Sequence, residues 1–111
     1  MPDKKIPIAE KENSIIKKIL EADPDTFVIF FVDECPYCQK ALWLLRKNEV
    51  KYKGYNIHDI EGDMPELLRV LNENSDVIDF NKLHRTKPII FLNKSFIGGS
   101  DSLAKYFADK K

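Results

Sequence analysis

Seven consecutive residues, Thr26 to Val32, carry no charge and no turn former, and every one is β-branched or aromatic. Without polar alternation such a run leaves no face for water, and it predicts a central strand covered on both sides. The next residues constrain the chain as strongly. The run ends at Asp33-Glu34-Cys35-Pro36. Proline suits the first position of a helix, because the N–H it lacks would have had no partner there. From Pro36 to Asn48 the apolar residues Ala41, Leu42 and Leu45 recur at helical spacing. A buried strand therefore feeds a helix through Cys35, with Cys38 one turn on.

Upstream, Ile15, Ile16, Ile19 and Leu20 form a stripe on one face of a helix expected over Glu10 to Ala22. Pro24 stops it by pushing Asp23 out of the α region. Downstream, Tyr52 to Ile57 reads as a second strand. Asp63-Met64-Pro65-Glu66 has the form of a helix start, with Asp63 as cap and Glu66 three residues later. Leu67, Leu68 and Leu71 supply that helix's apolar face. Ser75 to Lys87 fits neither period and is expected to be irregular or a frayed helix end. Pro88 opens a strand, Ile89 to Leu92, which Asn93-Lys94 turns into Ser95-Phe96-Ile97. Gly98-Gly99 breaks that strand, and Ser100, Asp101 or Ser102 caps a last helix with Leu103 and Phe107 facing inward. The order is α, then βαβα, then ββα. It describes an α/β chain in which a parallel pair with a crossover helix is followed by a hairpin and a closing helix.

The 111 residues give room for one domain over 1–111, with a core at about 26–108 and a helical extension over 1–23. Eighteen basic residues balance eighteen acidic ones, which gives no electrostatic reason to expect nucleic acid or an anionic membrane as partner. The only arginines are Arg46, Arg69 and Arg85, and lysine is the poorer reader of phosphate. The first residues contain no apolar stretch of the secretory kind, and no segment approaches the roughly 20 apolar residues of a membrane span. A cytoplasmic monomer in a reducing compartment is expected.

Such a compartment bears on the cysteines, of which there are two, Cys35 and Cys38. A structural disulfide belongs to secreted chains and closes a longer loop. Two cysteines three apart in an intracellular chain point instead to redox chemistry or a metal. At a helix N-terminus unpaired N–H groups and the positive end of the dipole favour a thiolate, so Cys35 is placed to attack. Cys38, on the same helix face, is placed to attack a mixed disulfide formed at Cys35 and release the product. Cys35 is expected to be the exposed thiol and Cys38 the buried one. Asp33 and Glu34 oppose the thiolate, and Lys40 in the next turn assists it. The alternative, half of a zinc site, would need His58 and His84, which are 26 residues apart. Paired finger ligands lie roughly 3–5 residues apart. Both histidines read as surface or loop residues, Trp43 as a packing residue, and Tyr106 and Phe107 as core.

At this point the chain resembles a known family. Cys35-Pro36-Tyr37-Cys38 is similar to the dithiol glutaredoxin motif, Thr86-Lys87-Pro88 to that family's Thr-Val-Pro segment, and Gly98-Gly99 with Ser100 to Leu103 to its Gly-Gly-x-x-Asp-Leu. The resemblance runs from about Thr26 to Phe107. It implies a thioredoxin-like fold, with a four-stranded mixed sheet flanked by helices and an extra N-terminal helix. It also implies glutathione as co-substrate, no bound cofactor or metal, and a cis peptide before Pro88. Catalysis would fall to Cys35 and Cys38. Glutathione would meet Tyr37 beside the sulfur, Thr86, Lys87 and Pro88 through backbone, Gly99, and Asp101 and Ser102 at its γ-glutamyl end. Arg85 matches a position near the glycyl carboxylate. The chain departs from the family where a basic residue usually stands three before the first cysteine, since Val32 is there. Lys87 replaces an apolar residue, and Ser102 stands where aspartate is usual, with Asp101 one position early.

The implied activity is glutathione-dependent reduction of protein disulfides and of glutathionylated proteins. Two alternatives remain at this stage. One is a dedicated electron donor, for instance to ribonucleotide reductase, recycled by a thioredoxin-type reductase, which the loss of a basic residue at Val32 favours. The other is a glutathione-ligated iron–sulfur carrier, against which Pro36-Tyr37 argues.

Overall fold

Strand β1 (Phe27–Phe31) fills the centre of the sheet, as its unbroken apolar run predicts. The chain is described by a computed structural model over residues 7–109, with side chains from residue 14 onward. The first six residues of the expected extension lie outside the described residues. The sheet has four strands in the order β2-β1-β3-β4. β2 (Tyr52–Asn56) runs parallel to β1, and β3 (Ile89–Leu92) runs antiparallel to it. β4 (Ser95–Gly98) completes a hairpin with β3.

The two-residue period of β1 divides its side chains between two cores. Val28, Phe30 and Val32 pack with Ile89 and Phe91 under helices α1 (Pro7–Leu20), α3 (Asp63–Glu73) and the single turn α4 (Ser75–Ile78). Phe27 and Ile29 pack with Ile90 on the opposite face, under α2 (Pro36–Lys47) and α5 (Ser100–Asp109). Parallel pairing of β1 and β2 requires a crossover, and α2 supplies it. A strand held on both faces and by two neighbours leaves little freedom to the residues that come after it, which include Cys35.

Several boundaries differ from the expected ones. α1 starts at Pro7, a residue suited to a first helical position, and ends at Leu20. Asp63 does not cap α3. Gly62 takes that position at φ 93°, no side chain bonds the helix end, and Asp63, the first residue of α3, has a left-handed φ of 57°. A Cβ on Gly62 would lie 2.6 Å from that of Glu66, so glycine is required there. The last strand extends one residue into the Gly-Gly pair, with Gly98 at φ 136°. The Leu103 N–H donates to the Gly99 carbonyl at 3.0 Å, which puts Ser100, Asp101 and Ser102 inside the first turn of α5. The stretch expected to be irregular forms α4 and is aperiodic after it, with Ile78 and Phe80 both buried. Among the described residues no helix is long and apolar enough to cross a membrane.

Candidate functional site

Cys35 caps α2 with extended backbone (φ −92°, ψ 116°), and Pro36 takes the first helical position. The Cys38 N–H donates to Cys35 Sγ at 3.2 Å, the bond a helix start offers an electron-rich acceptor. Cys35 Sγ faces the Lys87 carbonyl oxygen at 3.9 Å, across 52 residues of sequence. Cys35 is half-buried and Cys38 is 0% exposed, as the sequence predicts for an outer and an inner thiol. Burial pushes the Cys38 thiol up to about 12, the hydrogen bond with Cys35 adds to the rise, and a backbone hydrogen bond at Val32 opposes it.

A groove of about 550 Å³ opens beside Cys35. Tyr37 forms one side, Arg85, Thr86 and Lys87 a second, and Gly99, Asp101 and Ser102 a third. All seven are residues that the resemblance assigns to glutathione. Pro88 is buried and outside the lining, and the Lys87–Pro88 peptide is cis. Gly98 lets the wall close: its missing Cβ would lie 2.6 Å from that of Ser102.

Two lining residues were not expected, Ser100 and His84. Ser100 is buried directly after the Gly-Gly pair. His84 is a loop residue, as expected, but its ring is partly buried. Its ring meets Phe80 and Phe96 edge-on, at centroid distances of 6.4 and 5.0 Å, and Nε2 lies 3.4 Å from the Pro88 carbonyl oxygen. Its position four residues before Pro88 is the one sequence signal that marks it.

The acidic pair before Cys35 is engaged elsewhere. Glu34 Oε2 lies 2.9 Å from His58 Nε2, and His58 Nδ1 lies 2.7 Å from Asp63 Oδ1. These contacts hold the His58 imidazole above its ordinary value, chiefly through Glu34 and then Asp63. His58 in turn is the main cause that lowers the Glu34 carboxyl. Asp33 accepts from Asn56 Nδ2 at 3.5 Å and, through its backbone carbonyl, from Gln39 Nε2 at 3.0 Å. Lys40 pairs with Asp101 at 3.9 Å, across the start of α5. Val32, 1% exposed, belongs to the same core cluster as Cys38, so it presents nothing to the groove.

The glutaredoxin family model matches residues 27–97, from β1 into the hairpin. A probable glutaredoxin of Acanthamoeba polyphaga mimivirus is 59% identical over 92 residues, spanning 83% of this chain and 87% of the relative. The chain belongs to the glutaredoxin family. Glutaredoxin 1 of Rickettsia bellii is 35% identical over 95 residues, 86% of this chain and 84% of its own. In fold the molecule matches a buckwheat glutaredoxin–glutathione complex with a TM-score of 0.71 at 21% identity, over 98% of this chain and 89% of that one. This glutaredoxin thus has the thioredoxin-like fold that its motifs imply, and it is a thiol–disulfide oxidoreductase with a two-thiol motif. Trp43 is 54% exposed beneath Lys47 Nζ at 4.7 Å, a surface contact and not the packing role expected of it. Tyr106 and Phe107 do pack, each 5.7 Å from the Phe27 ring.

Proposed function

We propose that this glutaredoxin reduces protein disulfides and glutathione mixed disulfides, with Cys35 as attacking thiol, Cys38 as resolving thiol and glutathione as reductant. The observation that carries the reading is the division between the two thiols: a half-buried Cys35 sulfur receives the Cys38 N–H, and Cys38 lies behind it without exposure. Cys35 sulfur attacks one sulfur of the substrate disulfide, the substrate's S–S bond breaks, and the leaving thiolate takes up a proton. Part of what holds the Cys38 proton is the Cys35 sulfur itself, through its hydrogen bond and charge. Capping Cys35 in a mixed disulfide removes that part. Cys38 then gives up its proton, attacks Cys35 Sγ, and expels the second substrate thiol. Two electrons have passed to the substrate, and the protein holds a Cys35–Cys38 disulfide. Two glutathione molecules return both electrons and leave as glutathione disulfide. Such recycling fits a reducing compartment such as the cytosol.

Glutathione would lie in the groove against the Lys87 backbone. Its γ-glutamyl end would meet the start of α5, where N–H groups favour a carboxylate and Asp101 and Ser102 stand. Its glycyl carboxylate would meet Arg85. The buckwheat complex, a glutaredoxin of the same fold with glutathione, supports this reading. The test is turnover of a glutathione mixed disulfide coupled to glutathione reductase. Cys35→Ser should abolish it, because the nucleophile is gone. Cys38→Ser should retain it while losing reduction of protein disulfides. Arg85→Ala should weaken apparent glutathione affinity about tenfold, the worth of one partly exposed charge pair. Turnover supported by thioredoxin reductase and not by glutathione would favour the dedicated-donor reading, for which the burial of Val32 speaks.

A further inference from the structure

We propose that loop 81–87 is a docking wall for polypeptide substrates, selecting disulfides flanked by apolar and acidic residues. This deepens the reading above and rests on Cys35 as the attacking thiol. Leu83, at the loop's tip, is 84% exposed. An isolated exposed leucine is ordinary on a protein surface, and two features set this one apart.

It is held out by a built turn. The Leu83 N–H donates to Asn81 Oδ1 at 2.9 Å, and the His84 N–H to the Asn81 carbonyl at 2.9 Å. Below the turn, the His84 ring is seated on Phe80 and Phe96. A backbone held by such a turn loses little freedom on binding.

It also stands in a cationic setting in a chain of zero net charge. Residues 81–87 contain Lys82, Arg85 and Lys87 and no acid. Among the described residues Lys82 and Arg85 form no ion pair. The charge of Lys87 reaches Glu34, but that carboxylate is bonded to His58. Across the thiol stands Tyr37, 63% exposed.

The groove beside Cys35 is lined by His84, Arg85 and Lys87, but not by Lys82 or Leu83. A ligand that only fills the groove leaves Leu83 uncovered. A longer chain with its cystine at Cys35 spans groove and wall together, and its acidic residues match the unpaired cations.

The test uses two synthetic peptides with the same internal cystine, one flanked by leucine and aspartates, the other with lysines in place of the aspartates. A small glutathione mixed disulfide is the control substrate. Wild type should favour the acidic peptide about tenfold in kcat/KM at low salt, and the preference should shrink as ionic strength rises. Lys82→Glu should remove most of that preference, and Leu83→Ser should slow both peptides. Neither should alter turnover of the small substrate. Equal rates for the two peptides overturn the proposal. So do silent variants, or variants that slow the small substrate equally. A change of self-association in Leu83→Ser, with peptide reduction intact, would assign the wall to a second copy of the chain and overturn it too. Failure of wild type on the small substrate would instead refute the catalytic reading.

Discussion

The two flanks of Cys35 are built by opposite means. On one side Asp33 and Glu34 are held by polar contacts: Glu34 to His58, His58 to Asp63, Asp33 to Asn56 and Gln39. On the other, loop 81–87 is held from below by ring packing of Phe80, His84, Phe91 and Phe96, while its cations stay free of ion pairs among the described residues, save for the reach of Lys87 to Glu34. The negative flank is thus satisfied within the protein, and the positive flank is left to whatever approaches the thiol. An acidic pair next to a nucleophile that must carry negative charge looks like a conflict in the sequence. In the fold its charges are engaged by side chains that the sequence does not place beside it.

The packed flank is the one whose disruption costs most. Phe80→Ala removes a buried ring from contact with His84, Phe91 and Phe96. It should lower stability by about 3–5 kcal/mol, measured by urea denaturation. The same variant frees the footing of loop 81–87, so reduction of a polypeptide disulfide should fall further than that of a small one. A loss below about 1 kcal/mol would mean that the loop is not anchored by this ring cluster.

Val32→Lys tests whether the polar flank can be made basic from the strand. The family pattern that the motifs resemble would put a cation there, but here the residue is in the core with Cys38. The ammonium can reach toward the surface on its flexible stem, which holds the cost to about 2–3 kcal/mol. The expected result is a lower melting temperature and a smaller change in glutathione affinity than Arg85→Ala produces. A stable variant with markedly tighter glutathione binding would show that the groove extends to this position.

Legibility in the sequence divides along the same line. Local signals were reliable: the apolar run for β1, proline after cysteine for the start of α2, and Asn93-Lys94 for the hairpin, where both residues take the positive φ (51° and 73°) that a tight turn demands. Most of the groove was legible as well, because its residues come in short contiguous motifs. The failures depended on partners distant in sequence. Asp63 has the form of a helix cap, but its carboxylate is bonded to His58, and Gly62 takes the cap position. His84 is in a loop as read, but that its ring packs and lines the groove depends on Phe80 and Phe96, which fold against it. Trp43 sits on the outer side of a helix whose inner stripe, Cys38, Ala41, Leu42 and Leu45, was already filled.

The smallest expected effect is on the polar flank, and its signature is its pH dependence. In the folded protein His58 is raised above its ordinary 6.5, chiefly by Glu34 and then by Asp63. Its contribution is therefore fully present below that value and is lost as pH rises through the raised one. Glu34 is lowered from its ordinary 4.5, chiefly by His58. Its contribution is present above that value and is lost as pH falls through the lowered one. The contact requires both charges, so it is strongest between about pH 4.5 and 6.5. The partners are solvent-exposed, so salt should weaken it. In thermal melts the stability difference between wild type and His58→Gln should peak in that window and shrink on either side. Asp59, next in the chain, and Lys87, which also reaches Glu34, are the other charges to control. Measured in a Glu34→Gln background, the effect of His58→Gln should lose much of its pH dependence, since the main carboxylate that the imidazole holds is then gone. A difference constant with pH would mean that His58 acts by shape and not by charge, and the comparison of a satisfied flank with an open one would lose its electrostatic half.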